Sequence, residues 1–225
     1  MKIVVCVKQI QNPEIPPVQF RIDEEAKVLI PVSGLSPVLS PYDEQAIEAA
    51  LRIRDRAGKD SDIEITIVTI ASKGARAVIK AALALGADNA VLLNEPTFDG
   101  SGGYVTARNL AETIRALGDV DLILTGRQAA DWDAGVVGLG IAEILDIPAI
   151  TFACDVQIAD SVVTVKRILE DGIETVEVDL PALVTISNEL GKVRYASMRE
   201  TMRAAKKPIK EWMPEAIGLD EAQVG

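Results

Sequence analysis

The sequence predicts an α/β protein built on a doubly wound, mostly parallel sheet. Along residues 1–150, short apolar segments rich in β-branched residues alternate with amphipathic helical segments. These apolar segments are continuous, as in strands covered by helices on both faces. Between 151 and 188 the segments are short, β-rich and mostly alternating, which predicts a C-terminal antiparallel addition. We therefore expect an α/β domain at 1–188, with a parallel core at 1–150, and a separate segment at 189–225.

The expected elements follow in chain order. Core strands are predicted at IVVCV (3–7), EITIVTI (64–70), AVLLN (90–94) and DLILTG (121–126), with a small hairpin after the first whose turn lies near Asp23–Ala26. Helices are predicted over 41–57, 75–85, 104–117 and 136–145. Ser40 is a suitable N-cap for the first helix, and Pro41 suits its first position. The predicted addition consists of TFACDVQIAD, SVVTVKRIL, IETVEVDL and ALVTISN.

Composition excludes several classes of function. The 225 residues include no histidine, which removes serine–histidine triads and cysteine–histidine zinc sites. The formal net charge of −11 argues against nucleic acid as a partner. No apolar run is long enough for a membrane span, and the N-terminus reads as a first strand rather than a signal peptide. Cys6 and Cys154 lie in apolar segments, so we expect free thiols and a cytoplasmic protein.

A basic segment stands out from this acidic background. Residues 192–210 hold seven basic residues and one acid, a local charge of +6, so the remainder carries −17. The segment is either a solvated helix face or a docking surface for an acidic partner.

The loop GRQAADWDAGVVG (126–138) is the best candidate for a ligand site. It lies between a predicted strand and helix, and ligands of parallel sheets bind at the carboxyl ends of strands. The loops at 6–9 and 70–74 should reach the same edge. Small residues at 134–138 would let a phosphate approach the helix N-terminus, while Asp131 and Asp133 would bond ribose or adenine, or cap the helix. A tight structural turn explains the same residues equally well.

The segment VKRILEDGIETVEVDLPALVT (165–185) carries a family resemblance. Its ordered pattern is filled by Arg167, Glu170, Asp171, Gly172, Glu174, Pro181, Leu183, Val184 and Thr185. Family-like stretches elsewhere are MKIVVCVKQ, SPYDEQAIEAALRI, ALALGAD, GRQAADWD and VRYASMRETMRAAKK. With these motifs the chain resembles, over essentially its whole length, the β subunit of the electron transfer flavoproteins, the ETF beta/FixA family.

The resemblance implies a Rossmann-like fold of the adenine-nucleotide alpha-hydrolase-like type, with a protruding basic recognition loop. It implies an obligate heterodimer with an ETF α subunit that holds most of the FAD. In the family, electrons pass from acyl-CoA or related dehydrogenases to a membrane-bound ETF-quinone oxidoreductase. The β subunit usually buries a structural AMP, so the chain is expected to be a carrier subunit with no catalytic residue and no metal.

The resemblance also implies which residues bind. The expected nucleotide contacts are Cys6, Ser40, Pro41, Tyr42, Asp43, Ile70, Gly126, Arg127, Gln128, Asp131, Asp133, Ala134, Gly135, Val136 and Val137. Tyr42 matches an aromatic position near the flavin ring. The expected contacts with the dehydrogenase are Arg194, Tyr195, Ala196, Met198 and Arg199, with Met198 where the family commonly has an anchoring leucine.

An alternative remains open at the loop. AMP-type members often end it in threonine-glycine, whereas this chain has Val137-Gly138. Electron-bifurcating members also end in valine-glycine and hold a second FAD that accepts hydride from NADH. Their usual loop runs Asp-Gly-Asp-Thr-Ala-Gln-Val-Gly, from which Trp132, Ala134 and Val136 depart. Together with the AMP-type recognition segment, these departures favour AMP. A stand-alone nucleotide sensor is a third possibility, against which the 165–185 signature argues.

Overall fold

The computed structural model describes residues 1–25, 28–58, 60–71, 73–94 and 102–219. The strands are β1 (Lys2–Cys6), β2 (Gln9–Ile10), β3 (Ile22–Asp23), β4 (Val28–Leu29), β5 (Val38–Leu39), β6 (Glu64–Ile70), β7 (Asn89–Leu93), β8 (Leu122–Gly126), β9 (Ala149–Ala159), β10 (Val162–Leu169), β11 (Gly172–Asp179), β12 (Ala182–Ile186) and β13 (Lys210–Trp212). The helices are α1 (Pro41–Ala57), α2 (Arg76–Leu85), α3 (Gly103–Leu117), α4 (Val137–Leu145) and α5 (Met198–Lys206).

One large sheet organises the described part of the chain. Its strand order is β11-β10-β9-β12-β8-β1-β6-β7-β13. Every neighbouring pair from β9 to β13 is parallel, and only the β9–β10 and β10–β11 pairs are antiparallel. Helices cover both faces: α1, α2 and α5 contribute to one buried cluster, and α3 and α4 to the other. The expected α/β class with a mostly parallel sheet is therefore confirmed.

The segment ALVTISN departs from the expected topology. We expected it in the antiparallel addition, but β12 lies inside the sheet, parallel to both β8 and β9. All five of its residues are buried. Its continuous apolar sequence is the signature of a strand covered on both faces, like that of β1, and it differs from the alternating segments before it. The antiparallel addition therefore consists of β10 and β11 paired outward from β9.

The helices and the hairpin lie close to their predicted bounds. β3 and β4 pair antiparallel as expected, although Ala26 of the predicted turn lies outside the described residues.

Ser40 occupies the N-cap position of α1, but its side chain makes no capping hydrogen bond there. Its hydroxyl is buried and has no hydrogen-bond partner among the described residues. The first turn of α1 depends instead on Pro41 and on two acids favourable to the helix dipole. Within the described ranges, no helix is long and apolar enough to cross a membrane.

The basic segment contains a helix, α5, that is fastened to the domain surface. A capping box between Ser197 and Glu200 starts α5, and Lys80 of α2 donates to three main-chain carbonyl groups at the end of α5 and just beyond it. The chain then adds β13 as an edge strand parallel to β7, which the polar sequence KEW did not predict. Residues 220–225 of the predicted tail lie outside the described residues.

Candidate functional site

A cleft of about 570 Å³ opens at the carboxyl edge of the parallel strands. It lies between the ends of β1, β6 and β8 and the starts of α3 and α4, where parallel sheets bind ligands. Eleven of the residues expected to bind nucleotide line it: Cys6, Asp43, Ile70, Gly126, Arg127, Gln128, Asp131, Ala134, Gly135, Val136 and Val137.

Two helix N-termini meet at this cleft. Within the described part of the chain, neither α3 nor α4 has a side chain that caps its first turn. The first N–H groups of a helix have no acceptor within the helix, so both helices leave donors facing the cleft. A Cβ on Gly103 would lie 2.7 Å from Cγ2 of Val136, so glycine lets the two helix starts pack closely. The result is a site suited to an anion such as phosphate.

Asp43 accepts hydrogen bonds from residues at the ends of β1 and β8, which line the cleft. Its Oδ2 accepts a hydrogen bond of 2.7 Å from the N–H of Lys8, and its Oδ1 accepts one of 3.2 Å from the N–H of Gly126. The side chain projects from the first turn of α1 and is buried. One carboxylate thus joins α1 to the loops that follow β1 and β8.

The burial of Asp43 should make the stability of the chain depend on pH. Burial, only partly opposed by the hydrogen bonds from Lys8 and Gly126, raises the pKa of Asp43 from its ordinary 3.8 to about 7. Between about pH 4 and pH 7 the folded chain therefore holds more protons at this site than the unfolded chain, so the free energy of unfolding should fall as pH rises. Urea unfolding across this range should show a shallower slope for Asp43→Asn than for the parent. If the free energy of unfolding depended equally on pH in both proteins, the raised pKa of Asp43 would be contradicted.

The loop after β8 is held by bonds within the chain. Lys8 Nζ lies 2.8 Å from both carboxylate oxygens of Asp131, and Gln128 Nε2 donates to Oδ1 of Asp133 over 2.7 Å. Asp133 and Gly135 have φ angles of 50° and 65°, which lets the chain turn sharply before α4. The acids that we expected to meet ribose or adenine therefore already have partners, and their contact with a ligand stays a prediction. Trp132, between them, lines the cleft and is 78% exposed.

Cys6 contributes a small apolar wall. Burial and the nearby charge of Asp43 raise the pKa of this thiol to about 12, so it stays protonated. Among the described residues, no group of three acidic, cysteine or histidine side chains could hold a metal ion.

Four residues expected at the nucleotide lie outside the cleft lining. These are Ser40, Pro41, Tyr42 and Asp133. Tyr42 instead contacts Arg127, whose guanidinium carbon is 5.1 Å from the centre of the Tyr42 ring and 5.9 Å from the centre of the Phe152 ring. Arg127 therefore lies over two aromatic rings, an arrangement that stabilises its charge.

Sequence reasoning missed the lining residues that come from α3, from the residue before it and from the end of β8: Gly102, Gly103, Thr106, Asn109, Leu110 and Thr125. The other additional lining residues belong to the loops that we expected at this edge, although we did not name them as contacts: Val7, Lys8, Gln9, Ala71, Ala129, Trp132 and Gly138. Lys8 directly follows the first core strand, and a basic residue at that strand end was an available signal. The contribution of α3 depends on the packing of its start against α4, which only the structure reveals.

The expected docking residues separate into two groups. Tyr195 and Met198 are 88% and 82% exposed, and Arg199 is also exposed. Arg194 instead faces inward, with its Nε 2.8 Å from Glu48 and its Nη2 2.8 Å from Asp55 of α1. Ala196 is half-buried and packs against the core. Arg194 thus anchors the segment, while the docking role of all five residues stays a prediction.

The sheet order and the cleft define a Rossmann-like α/β protein with an anion-suited site at the carboxyl edge of its strands. The sequence model described as the electron transfer flavoprotein domain matches residues 33–217. The chain therefore belongs to the electron transfer flavoprotein family, in the group of the beta subunit and FixA proteins.

Curated relatives agree with this assignment. The chain is 37% identical to the caffeyl-CoA reductase-Etf complex subunit CarD of Acetobacterium woodii, covering 100% of this chain and 83% of that protein. It is 35% identical to the electron transfer flavoprotein subunit beta of Megasphaera elsdenii, with the same coverage. It is 33% identical to protein FixA of Azotobacter vinelandii, covering 100% of this chain and 79% of that one. The family implies a flavin in the complex and a role in electron transfer.

Proposed function

We propose that the chain is the β subunit of a heterodimeric electron transfer flavoprotein. FAD held mainly by the α subunit accepts electrons from an acyl-CoA or related dehydrogenase and passes them to a membrane quinone oxidoreductase. In this proposal the cleft holds a structural AMP, and residues 189–225 form a partner-recognition unit on the 1–188 domain. The two helix starts at the cleft carry the proposal, because their first N–H groups, which have no side-chain cap among the described residues, can donate hydrogen bonds to a phosphate.

The residues of the cleft fit AMP. The start of α4 supplies N–H groups for the phosphate, and Gly135 leaves the approach open, since even a Cβ there would meet only the carbonyl oxygen of Arg127, at 3.5 Å. Cys6 and Ile70 supply apolar walls for a base. A bound AMP would add no redox chemistry and would connect the loops that follow β1, β6 and β8. The nucleotide would therefore stabilise the carboxyl edge of the sheet.

A second FAD with NADH oxidation is the other candidate. Two observations favour it: Val137 offers no hydroxyl to a phosphate, and residues of α3 as well as of α4 line the cleft, as a longer nucleotide would require. The relative CarD belongs, by its name, to a caffeyl-CoA reductase-Etf complex.

Counting cofactors in the purified heterodimer separates the two candidates. Denaturation followed by absorbance and chromatography should release about one FAD and one AMP per heterodimer, and NADH should not reduce the complex. Two FAD per heterodimer would overturn the AMP assignment and support the bifurcating type. Isolation of the chain without any flavoprotein partner would overturn both.

The exposed methionine of α5 provides the test of docking. Met198 is flexible and polarisable, so it can fit an apolar pocket on a dehydrogenase, and the basic residues around it can steer an acidic partner. Loss of an interface anchor costs more than about 1 kcal/mol, so Met198→Ala should lower kcat/KM for electron transfer about tenfold at unchanged cofactor content. Met213→Ala, at an exposed methionine beyond β13, is the matched control. Unchanged kinetics in Met198→Ala would remove the docking role.

A further inference from the structure

Lys8 and Asp131 form an ion pair across the cleft. Lys8 follows β1 and Asp131 lies in the loop after β8, yet the lysine Nζ lies 2.8 Å from both oxygens of the carboxylate. Both residues line the cleft. The pair therefore joins two separate loops in the wall of the cleft.

The main chain of Lys8 is fixed while its side chain reaches the cleft. Its N–H donates to Asp43, and its carbonyl oxygen accepts a hydrogen bond of 3.0 Å from the N–H of Ser40. Because the backbone cannot shift easily, only the flexible side chain determines where the ammonium lies. That ammonium is aimed at Asp131.

An unpaired Asp131 would oppose any anionic ligand. The donors at the starts of α3 and α4 favour a phosphate, whereas a carboxylate on the wall of the same cleft repels it. The charge of Asp131 reaches into the site, since it also raises the pKa of buried Asp43, while the charge of Lys8 lowers it. Arg127, the other basic residue in the cleft lining, is directed toward Tyr42 and Phe152.

We propose that Lys8 determines the selectivity of the cleft for an anionic nucleotide by neutralising Asp131. This role rests on the proposed nucleotide binding. The side chains of the pair are 43% and 28% exposed, so solvent screens them and they contribute little to folding. Their effect should fall on ligand affinity and be specific for charged ligands.

A double-mutant cycle in the purified heterodimer tests this role. The nucleotide is removed, and AMP and its uncharged counterpart adenosine are each titrated by calorimetry. Lys8→Met should bind AMP about tenfold more weakly than the parent but bind adenosine unchanged. Lys8→Met combined with Asp131→Asn should recover most of the loss, because the repelling charge is gone. Lys8→Arg should behave like the parent, and Lys2→Met, at the exposed opposite end of β1, serves as the matched control.

The outcomes separate the role of Lys8 from the function on which it rests. Equal AMP affinity in Lys8→Met and the parent would overturn the role of Lys8 alone. The role would also be overturned if the double variant bound AMP as weakly as Lys8→Met does. An equal loss of affinity for AMP and adenosine would overturn it too, because that result would indicate a merely structural lysine. If the parent binds FAD in place of AMP, the same cycle with FAD decides the question, since FAD also carries phosphates. A parent that binds neither nucleotide would overturn the proposed function and the role of Lys8 together.

Discussion

Gly126→Ala is expected to destabilise the chain by about 3 kcal/mol, as overpacking of a tightly packed site does. A Cβ at this position would lie 2.6 Å from Oδ1 of Asp43, 2.7 Å from Cβ of Tyr42 and 2.9 Å from the carbonyl carbon of Tyr42. The last contact is main chain, so no change of rotamer relieves it. The end of β8 would have to move away from α1, which breaks the bond between the Gly126 N–H and Asp43.

Urea unfolding of this variant and its parent provides the measurement. Gly74→Ala is the matched control, because a Cβ there would meet only the amide nitrogen of Gln9 at 4.0 Å, and Gly74 is exposed. The control should change the free energy of unfolding by less than about 0.5 kcal/mol. The variant should also lose nucleotide, because Gly126 lies in the lining of the cleft. A Gly126→Ala variant as stable as the control would show that α1 and β8 are less tightly packed than described.

Glu48→Ala is expected to cost about 2–3 kcal/mol and to release the basic segment from α1. Glu48 is 5% exposed, and its carboxylate accepts hydrogen bonds from Arg52 and Arg194 at 2.9 and 2.8 Å. Burial alone would raise the pKa of Glu48, but the bonds from Arg194 and Arg52 outweigh it and hold that pKa below its usual value. Removal of the carboxylate leaves two partly buried guanidinium groups without this partner.

Hydrogen exchange should show the release of the basic segment from α1 directly. Amides of residues 192–206 should exchange faster in Glu48→Ala than in the parent, since Arg194 and Arg52 fasten this segment through Glu48 and through the carbonyl groups of Leu190 and Lys192. Asp55 is the other acid bonded to Arg194, and the side chain of Asp55 is 60% exposed. Asp55→Ala should therefore lower the free energy of unfolding by less than about 1 kcal/mol. If Glu48→Ala and Asp55→Ala were equally stable, the burial of Glu48 would not explain its contribution to stability.

Local sequence patterns were sufficient for most of the fold. The β-branched runs of β1, β6, β7 and β8 predicted buried parallel strands, and the glycines at 58 and 86 marked helix ends. β12 was assigned to the antiparallel addition because it follows three alternating segments. Its continuous apolar sequence indicated a strand covered on both faces, but its pairing with β8 and β9 is not encoded locally. β13 was missed because KEW is short and polar, and its pairing with β7 joins residues far apart in sequence.

The candidate site was predictable only in part. The glycine-rich loop was recognisable because its residue types have a local conformational role. The bonds that fix the loop are not local: Lys8 and Asp131 are 123 positions apart, and Asp43 is 83 positions from Gly126. Asp43 was expected as a nucleotide contact, whereas in the fold its carboxylate joins three elements. The inward direction of Arg194 likewise depends on its position relative to α1.

The interior position of β12 has a consequence for how the protein is made. A ribosome synthesises β8 and β9 well before residues 182–186. Until β12 is made, β8 and β9 each have one unpaired edge, the edge that later pairs with β12. Unpaired strand edges are sites of aggregation, and pairing between distant segments is slow. The meander of β9 to β11 can form early by itself, but it can join the N-terminal strands only after β12 has been synthesised. The sheet is thus closed from its middle, once β12 has been synthesised.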